Sequence, residues 1–92
     1  GLDKDYIVGI EIICNDRNGM LAELLAVPAE MKVNIHTVNA TPNRRNKTST
    51  VLLGLNVSNI DQVTQVMTKM RLLKDVYRVT RTIGSSALPG GD

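Results

Sequence analysis

The side chains with chemistry to offer fall in three places. The first is the octet CNDRNGML, residues 14–21, where Cys14, Asn15, Asp16, Arg17, Asn18, Gly19, Met20 and Leu21 put a thiol, an acid, a base, two amides and a glycine in one short stretch. Such a turn suits a phosphate, the carboxylate of a small ligand or a catalytic pair, and it suits equally well the start of a helix. The second is the segment Asn34, Ile35, His36, which holds the chain's one histidine. The third is PNRRNK, residues 42–47, where Arg44, Arg45 and Lys47 form a basic run between two strand-like segments.

Most catalytic readings of these residues are weak. Cys14 with His36 is the one thiol–imidazole combination available, and Cys14 reads better as a small apolar core residue. Asp16 beside Arg17 reads as a helix cap with a solvent contact, because no base or nucleophile stands with the pair. An acylphosphatase-like site could be assembled from Arg17 with Asn15 or Asn18, but the loop lacks the glycine density that wraps a phosphate. There is no Gly-rich nucleotide fingerprint, no Walker loop and no HExxH. One cysteine leaves no internal disulfide and no cysteine-cluster zinc site, and fits a reducing cytoplasm. Neither a metal nor a cofactor is called for. The formal charge of +2 is too small to imply a nucleic-acid partner by itself.

The elements that must position these residues follow from hydrophobic periodicity. At 92 residues the chain is one small domain with a thin core. Tyr6 and Tyr77 are its only aromatics, so that core is built from Ile, Leu, Val and Met. Residues 6–14 alternate with period two, Tyr6, Val8, Ile10, Ile12 and Cys14 on one face. The other face is also largely apolar, which marks a central strand. Residues 19–32 change to helical spacing, with Asp16 or Asn18 as N-cap and Pro28 as an expected kink or point of loosening. Residues 33–43 form a second strand whose apolar set changes phase between Ile35 and Val38, predicting a bulge or twist near His36–Thr37. Residues 48–57 are a third strand, joined to the second by the polar turn as a hairpin. A second helix begins near Ser58–Asn59, with Asp61 and Gln62 placed for a capping box, and carries the stripe Ile60, Val63, Val66, Met67 and Met70, closed by Leu72 and Leu73. Residues 76–83 are the last strand. Residues 1–5 read as a disordered end and 84–92 as a flexible tail, and the absence of an initiator methionine reads as an excised domain or a tag remnant. No apolar run is long enough for a membrane helix.

The order β-α-β-β-α-β is that of a ferredoxin-like α+β sandwich, a four-stranded antiparallel sheet with both helices on one face. Ile7, Ile13 and Leu52 then lie on the helix-free face, and the second strand lies at an edge. A homodimer through the sheet edge or face is expected from that exposure. An RNA-recognition module of this shape would need aromatics on its central strands, and the third strand offers none.

The phrases DRNGMLAE, AEMKVNIHTVNA and DVYRVTR resemble the ACT domain over about residues 6–83. The form is most similar to the C-terminal ACT domain of long RelA/SpoT-type (p)ppGpp synthetase/hydrolases, which are GTP pyrophosphokinases. Pro28 departs from that pattern, where an apolar helix former is expected. The resemblance implies a non-catalytic regulatory module of the stringent response. It would act by domain docking, by self-association, or by contact with ribosomal RNA or tRNA in a parent protein. The alternative it implies is an amino-acid sensor, for instance for a branched-chain amino acid, in an enzyme of amino-acid metabolism. ACT ligand sites pair the first strand–helix turn of one copy with the second-strand edge of another. Carried over by position, that nominates Asn15 to Leu21 with Asn34 to His36 for an amino acid; separately, Arg44, Arg45 and Lys47 form a basic hairpin tip suited to phosphates or a partner. For the basic tip, a solvated turn that keeps an edge strand soluble remains an equal reading.

Overall fold

The computed structural model describes residues 5–82. Their order is β1 (Tyr6–Asn15), α1 (Met20–Glu30), β2 (Asn34–Asn43), β3 (Thr48–Val57), α2 (Ile60–Arg71) and β4 (Val76–Arg81). The strands form one sheet in the order β2-β3-β1-β4, with every neighbouring pair antiparallel. This is the ferredoxin-like arrangement that the hydrophobic pattern predicts. Val8, Ile10, Ile12 and Cys14 of β1 and Val51, Leu53, Leu55 and Val57 of β3 pack with Leu24 and Val27 of α1 and Val63, Val66 and Met70 of α2 in a single cluster. Because strand side chains alternate, that shared cluster places both helices on the same sheet face. Burying a Leu or Val side chain there contributes about 1.5–3 kcal/mol each. The terminal segments 1–4 and 84–92, with Ile83, lie outside the described residues; Asp5, expected among the disordered ends, accepts a hydrogen bond from Ser58 Oγ at 2.9 Å.

The phase change in the second strand resolves as expected. Ile35 pairs with Leu55 and Thr37 with Gly54, so His36 is the extra residue of a bulge. The bulge lets Ile35 face the helices and sets Thr37 on the opposite face above Gly54. The second helix is capped as its sequence implies: Asn59 Oδ1 accepts from Gln62 N at 3.1 Å, and Gln62 Oε1 accepts from Ser58 N at 2.7 Å. Its stripe ends sooner than expected. Leu72 is 80% exposed, because the helix closes at Arg71 and Leu72 lies past the last turn that rests on the sheet.

The first helix differs more. Neither Asp16 nor Asn18 caps it. Gly19 takes the N-cap position in the left-handed region at φ 85°, and no side chain bonds to the first-turn amides. That backbone turn leaves both polar residues outside the helix, and both are exposed. The helix runs through Pro28, which is buried, and ends two residues later at Glu30. Leu24 O loses its donor at Pro28. Lys32 then turns left-handed, and Pro28 O accepts from Val33 N at 2.8 Å, closing the helix and starting the path into β2.

Candidate functional site

The end of β1 is held between two other turns. Asn15 N donates to Asp75 O at 2.9 Å, in the turn before β4, and Asp16 N donates to Lys47 O at 2.9 Å, at the base of the basic hairpin. The strand–helix turn, the hairpin tip and the α2–β4 turn therefore meet at one end of the sheet. Cys14, Asn15, Asp16, Arg17, Met20 and Leu21 line a cleft there of about 150 Å³, closed on its far side by β2 and β3 through Ala40, Pro42 and Ser49. Asn18 and Gly19 do not line it.

Arg17 decides the electrostatics. Its Nε donates to Asp75 Oδ2 at 2.7 Å, while Nη1 and Nη2 donate to the two carboxylate oxygens of Glu23 at 2.9 and 3.2 Å. Nη1 also reaches the carbonyl of Asn18 at 3.4 Å. A guanidinium has five donors in a planar fork, and here both edges are taken by carboxylates. The hydrogen bonds that Arg17 donates to Glu23 and then to Asp75 push its pKa up, and the same contact holds Glu23 below the usual carboxylate range. Arg17 is therefore a clamp joining the β1–α1 turn to the first turn of α1 and to the α2–β4 turn. It is not a loose cation waiting for an anion. The partners Glu23 and Asp75 were not singled out from sequence. The signal for Asp75 is an acid alone in a turn just before a strand; it sits there at φ 70°, a region in which Asp is enriched.

Cys14 is buried, with Sγ 3.7 Å from Ser49 O. Burial pushes its thiol pKa up, the nearby Asp16 charge adds to this, and Arg17 opposes it. A thiol in that state is a poor nucleophile. His36 lies at the opposite end of the sheet. Asn34 pairs with Asn56, which pairs in turn with Ile7, while Asn15 is eight residues further along β1. At about 3.3 Å per residue the two nominated segments are about 26 Å apart within one chain. The structure thus brings Asn15–Leu21 together with Arg44–Lys47 and leaves Asn34, Ile35 and His36 apart.

The first-turn amides of α1 have no side-chain cap, and a Cβ on Gly19 would meet nothing within 4 Å. Glycine is needed there for its left-handed backbone and not to make room. Arg44, Arg45 and Lys47 are exposed, and among the described residues both ion pairs belong to Arg17. Asn43 Oδ1 accepts from Arg45 N at 3.1 Å and Asn46 Oδ1 from Thr48 Oγ1 at 2.7 Å, so polar side chains shape the tip while the cations project. Among the described residues no group of three or more His, Cys, Asp or Glu is placed to hold a metal ion, and no helix is long and apolar enough to cross a membrane.

A family model described as an ACT domain matches residues 2–81. The crystal structure of the ACT domain from GTP pyrophosphokinase of Chlorobium tepidum aligns with a TM-score of 0.73 at 32% identity, over 86% of this chain and 100% of that one. A GTP pyrophosphokinase of Escherichia coli is 25% identical over 80 residues, 87% of this chain and 11% of the relative; that of Haemophilus influenzae is 23% identical over 76 residues, 83% and 10% respectively. The chain thus spans about a tenth of the length of these curated relatives. A homoserine dehydrogenase from Thiobacillus denitrificans aligns at 18% identity with a TM-score of 0.70 over 86% of this chain and 17% of that one, a likeness of fold.

Proposed function

The chain belongs to the ACT-domain family, and on that footing we propose that it is a non-catalytic regulatory module of a GTP pyrophosphokinase-type protein that works by docking its basic hairpin end against phosphate-bearing RNA. One observation carries this reading: Arg44, Arg45 and Lys47 are exposed and have no ion-pair partner among the described residues, while Arg17 beside them is held by two carboxylates. The surface end of the domain has cations to offer a phosphate; the cleft behind it does not. The cleft of about 150 Å³ is also well below the roughly 300 Å³ at which small-ligand pockets begin.

The test is a triple reversal, Arg44→Glu, Arg45→Glu and Lys47→Glu, in the parent protein, read by ribosome co-sedimentation across a salt series. The expected result is weaker association and a salt slope shallower by about 0.7–0.9 for each phosphate that the tip no longer neutralises. Association and slope unchanged by the reversal would remove the docking role.

The uncapped first turn of α1 supports a second reading, an amino-acid sensor whose ligand sets its carboxylate on those amides. Asn34–His36 would then come from another copy, since one chain holds them at the far end of the sheet. Valine or isoleucine titrated against the amide resonances of Leu21 and Ala22 separates the two: shifts there without shifts on adding RNA favour sensing.

A further inference from the structure

Residues 69–81 carry five cations, Lys69, Arg71, Lys74, Arg78 and Arg81, against one acid, Asp75, and that carboxylate is taken by Arg17. The segment runs from the last turn of α2 to the end of β4, which is an edge strand of the sheet. Two of the cations meet at that edge. Ile13 pairs with Arg78 and Cys14 with Val76, so Tyr77 is the extra residue of a bulge. A bulge bends its strand, and here the edge holds a groove of about 330 Å³ lined by Arg71, Val76, Tyr77, Arg78 and Val79. Arg71 Nη2 donates to Val79 O at 2.8 Å, so a guanidinium reaching over from α2 is pinned to the edge strand. Neither Arg71 nor Arg78 has an ion-pair partner among the described residues.

From this arrangement we infer that the β4 edge groove is a binding site for the phosphate group of a small phosphorylated ligand, held between Arg71 and Arg78. Two guanidinium groups that share a groove without a counter-ion repel each other, and an anion between them relieves that repulsion. A guanidinium anchored through one N–H has its plane fixed in advance and keeps further donors for a phosphate. The N–H of Val79 lies on the same edge as its C=O and adds a neutral donor. Tyr77 is 57% exposed, and its hydroxyl accepts from Asn15 Nδ2 at 3.1 Å, which holds the ring as a fixed wall for the organic part of a ligand. The groove also exceeds the roughly 300 Å³ at which small-ligand pockets begin, which the cleft at the β1–α1 turn does not.

Two features oppose an anion here, and neither prevails. The C-terminal end of α2 carries about half a negative charge. Its carbonyls at Lys69 and Met70 already accept from Leu72 N and Leu73 N at 3.1 Å, and Lys69, Arg71 and Lys74 set three full positive charges around it. Glu11 pairs with Thr80 and is therefore a diagonal neighbour of Arg78, with which it forms no ion pair. Diagonal neighbours stand about 7–8 Å apart, so this carboxylate weakens a phosphate contact without filling the groove. The site is independent of the docking role assigned to the hairpin tip, whose cations project from a turn between β2 and β3 instead of converging on a groove at β4.

The experiment follows the amide resonances of the 92-residue chain as inorganic phosphate, and separately adenosine monophosphate, replaces chloride at constant ionic strength. Saturable shifts concentrated at Tyr77, Arg78 and Val79 are expected. Arg78→Gln is expected to raise the dissociation constant about tenfold, as for one lost charge-assisted contact, and Arg71→Gln at least as much. The rest of the amide spectrum checks that each variant folds; if Arg71→Gln does not, Arg78→Gln decides, because that side chain has no ion pair to lose among the described residues. Tighter binding of the nucleotide, with the advantage lost in Tyr77→Ala, identifies a nucleotide as the source of the phosphate; equal affinities identify free phosphate. Shifts that do not saturate, that spread over all the cations of the chain, or that are unchanged in both arginine variants overturn the inference. Arg44→Glu with Arg45→Glu is expected to leave phosphate binding unchanged, so failure here and failure of the docking role are told apart.

Discussion

Gly54→Ala probes the bulge that places Thr37. An ideal Cβ on Gly54 would lie 2.6 Å from Thr37 Oγ1, while Ile7 Cγ2 at 3.5 Å and Thr37 N at 3.7 Å are ordinary contacts. One atom is therefore in the way, and it is short of ordinary separation by about 0.8 Å. Thr37 is β-branched and stiff at χ1, so Oγ1 moves only by a rotamer change or a shift of the bulged backbone. Overpacking of this kind costs about 1–3 kcal/mol, offset by the roughly 0.5–1 kcal/mol that Ala gains over Gly in a strand. The net expectation is a loss of about 1–2 kcal/mol. For a domain of this size in urea that is a fall of about 1–2 M in the unfolding midpoint with an unchanged slope. A double-mutant cycle isolates the cause. In a Thr37→Ala background the clash is gone, and Gly54→Ala becomes neutral or slightly stabilising, with a coupling energy of at least about 1 kcal/mol. An equal midpoint shift in both backgrounds would falsify the assignment of the glycine to Thr37.

Further expectations follow from the core and the clamp. Leu24→Ala removes a fully buried side chain shared by α1 and the sheet; it should cost about 2–5 kcal/mol, measured as a lowered urea midpoint, out of a stability of about 5–14 kcal/mol. Cys14 has a raised folded pKa, so its contribution is fully present below the ordinary thiol range and is lost as pH rises through that range toward the folded value. Thermal scans should show a decline above about pH 8.5 that Cys14→Ala lacks, and thiol alkylation at about pH 8 should be slow until denaturant is added. Glu23 is the reverse case: its lowered pKa contributes stability above the ordinary carboxylate range that is lost as pH falls through the folded value. The fall in melting temperature between about pH 5 and pH 3 should be smaller in Glu23→Gln. Arg17→Met should speed hydrogen exchange at the Asn15 amide, whose bond to Asp75 O the clamp supports; equal exchange in the two proteins would show that the backbone pairing holds without it.

Most of the architecture was legible in the sequence because it rests on periodicity. Val8 to Cys14 and Val51 to Val57 set an apolar residue at every second position, the stripe from Val63 to Met70 recurs at helical spacing, and the phase slip between Ile35 and Val38 requires a break in the regular pairing. Asn59 and Gln62 announce their cap by type and position. The first helix start was not legible in the same way. Asp16, Asn18 and Gly19 are each acceptable N-caps, and the choice fell to Gly19 because the turn needs a left-handed residue there, a property of the path between β1 and α1. Leu72 fits the helical stripe by spacing, and only the point at which α2 closes leaves it in water.

The site was less legible still. Residue types at 14–21 and 44–47 could be nominated from the chain alone. What Arg17 does depends on Asp75, 58 positions away, and on whether Glu23 turns back toward it. What Asn34–His36 do depends on β2 running antiparallel, which carries them to the far end of the sheet. Local pattern determined the elements, their order and the face each buries, because those are set by side-chain spacing within a few residues. Partners drawn from distant turns, the occupied fork of Arg17, the cations of the hairpin tip left without an ion pair among the described residues and the seat of Thr37 over Gly54 were decided only by folding. Each depends on which residues the sheet register sets side by side, and register is a relation between segments that no single segment contains.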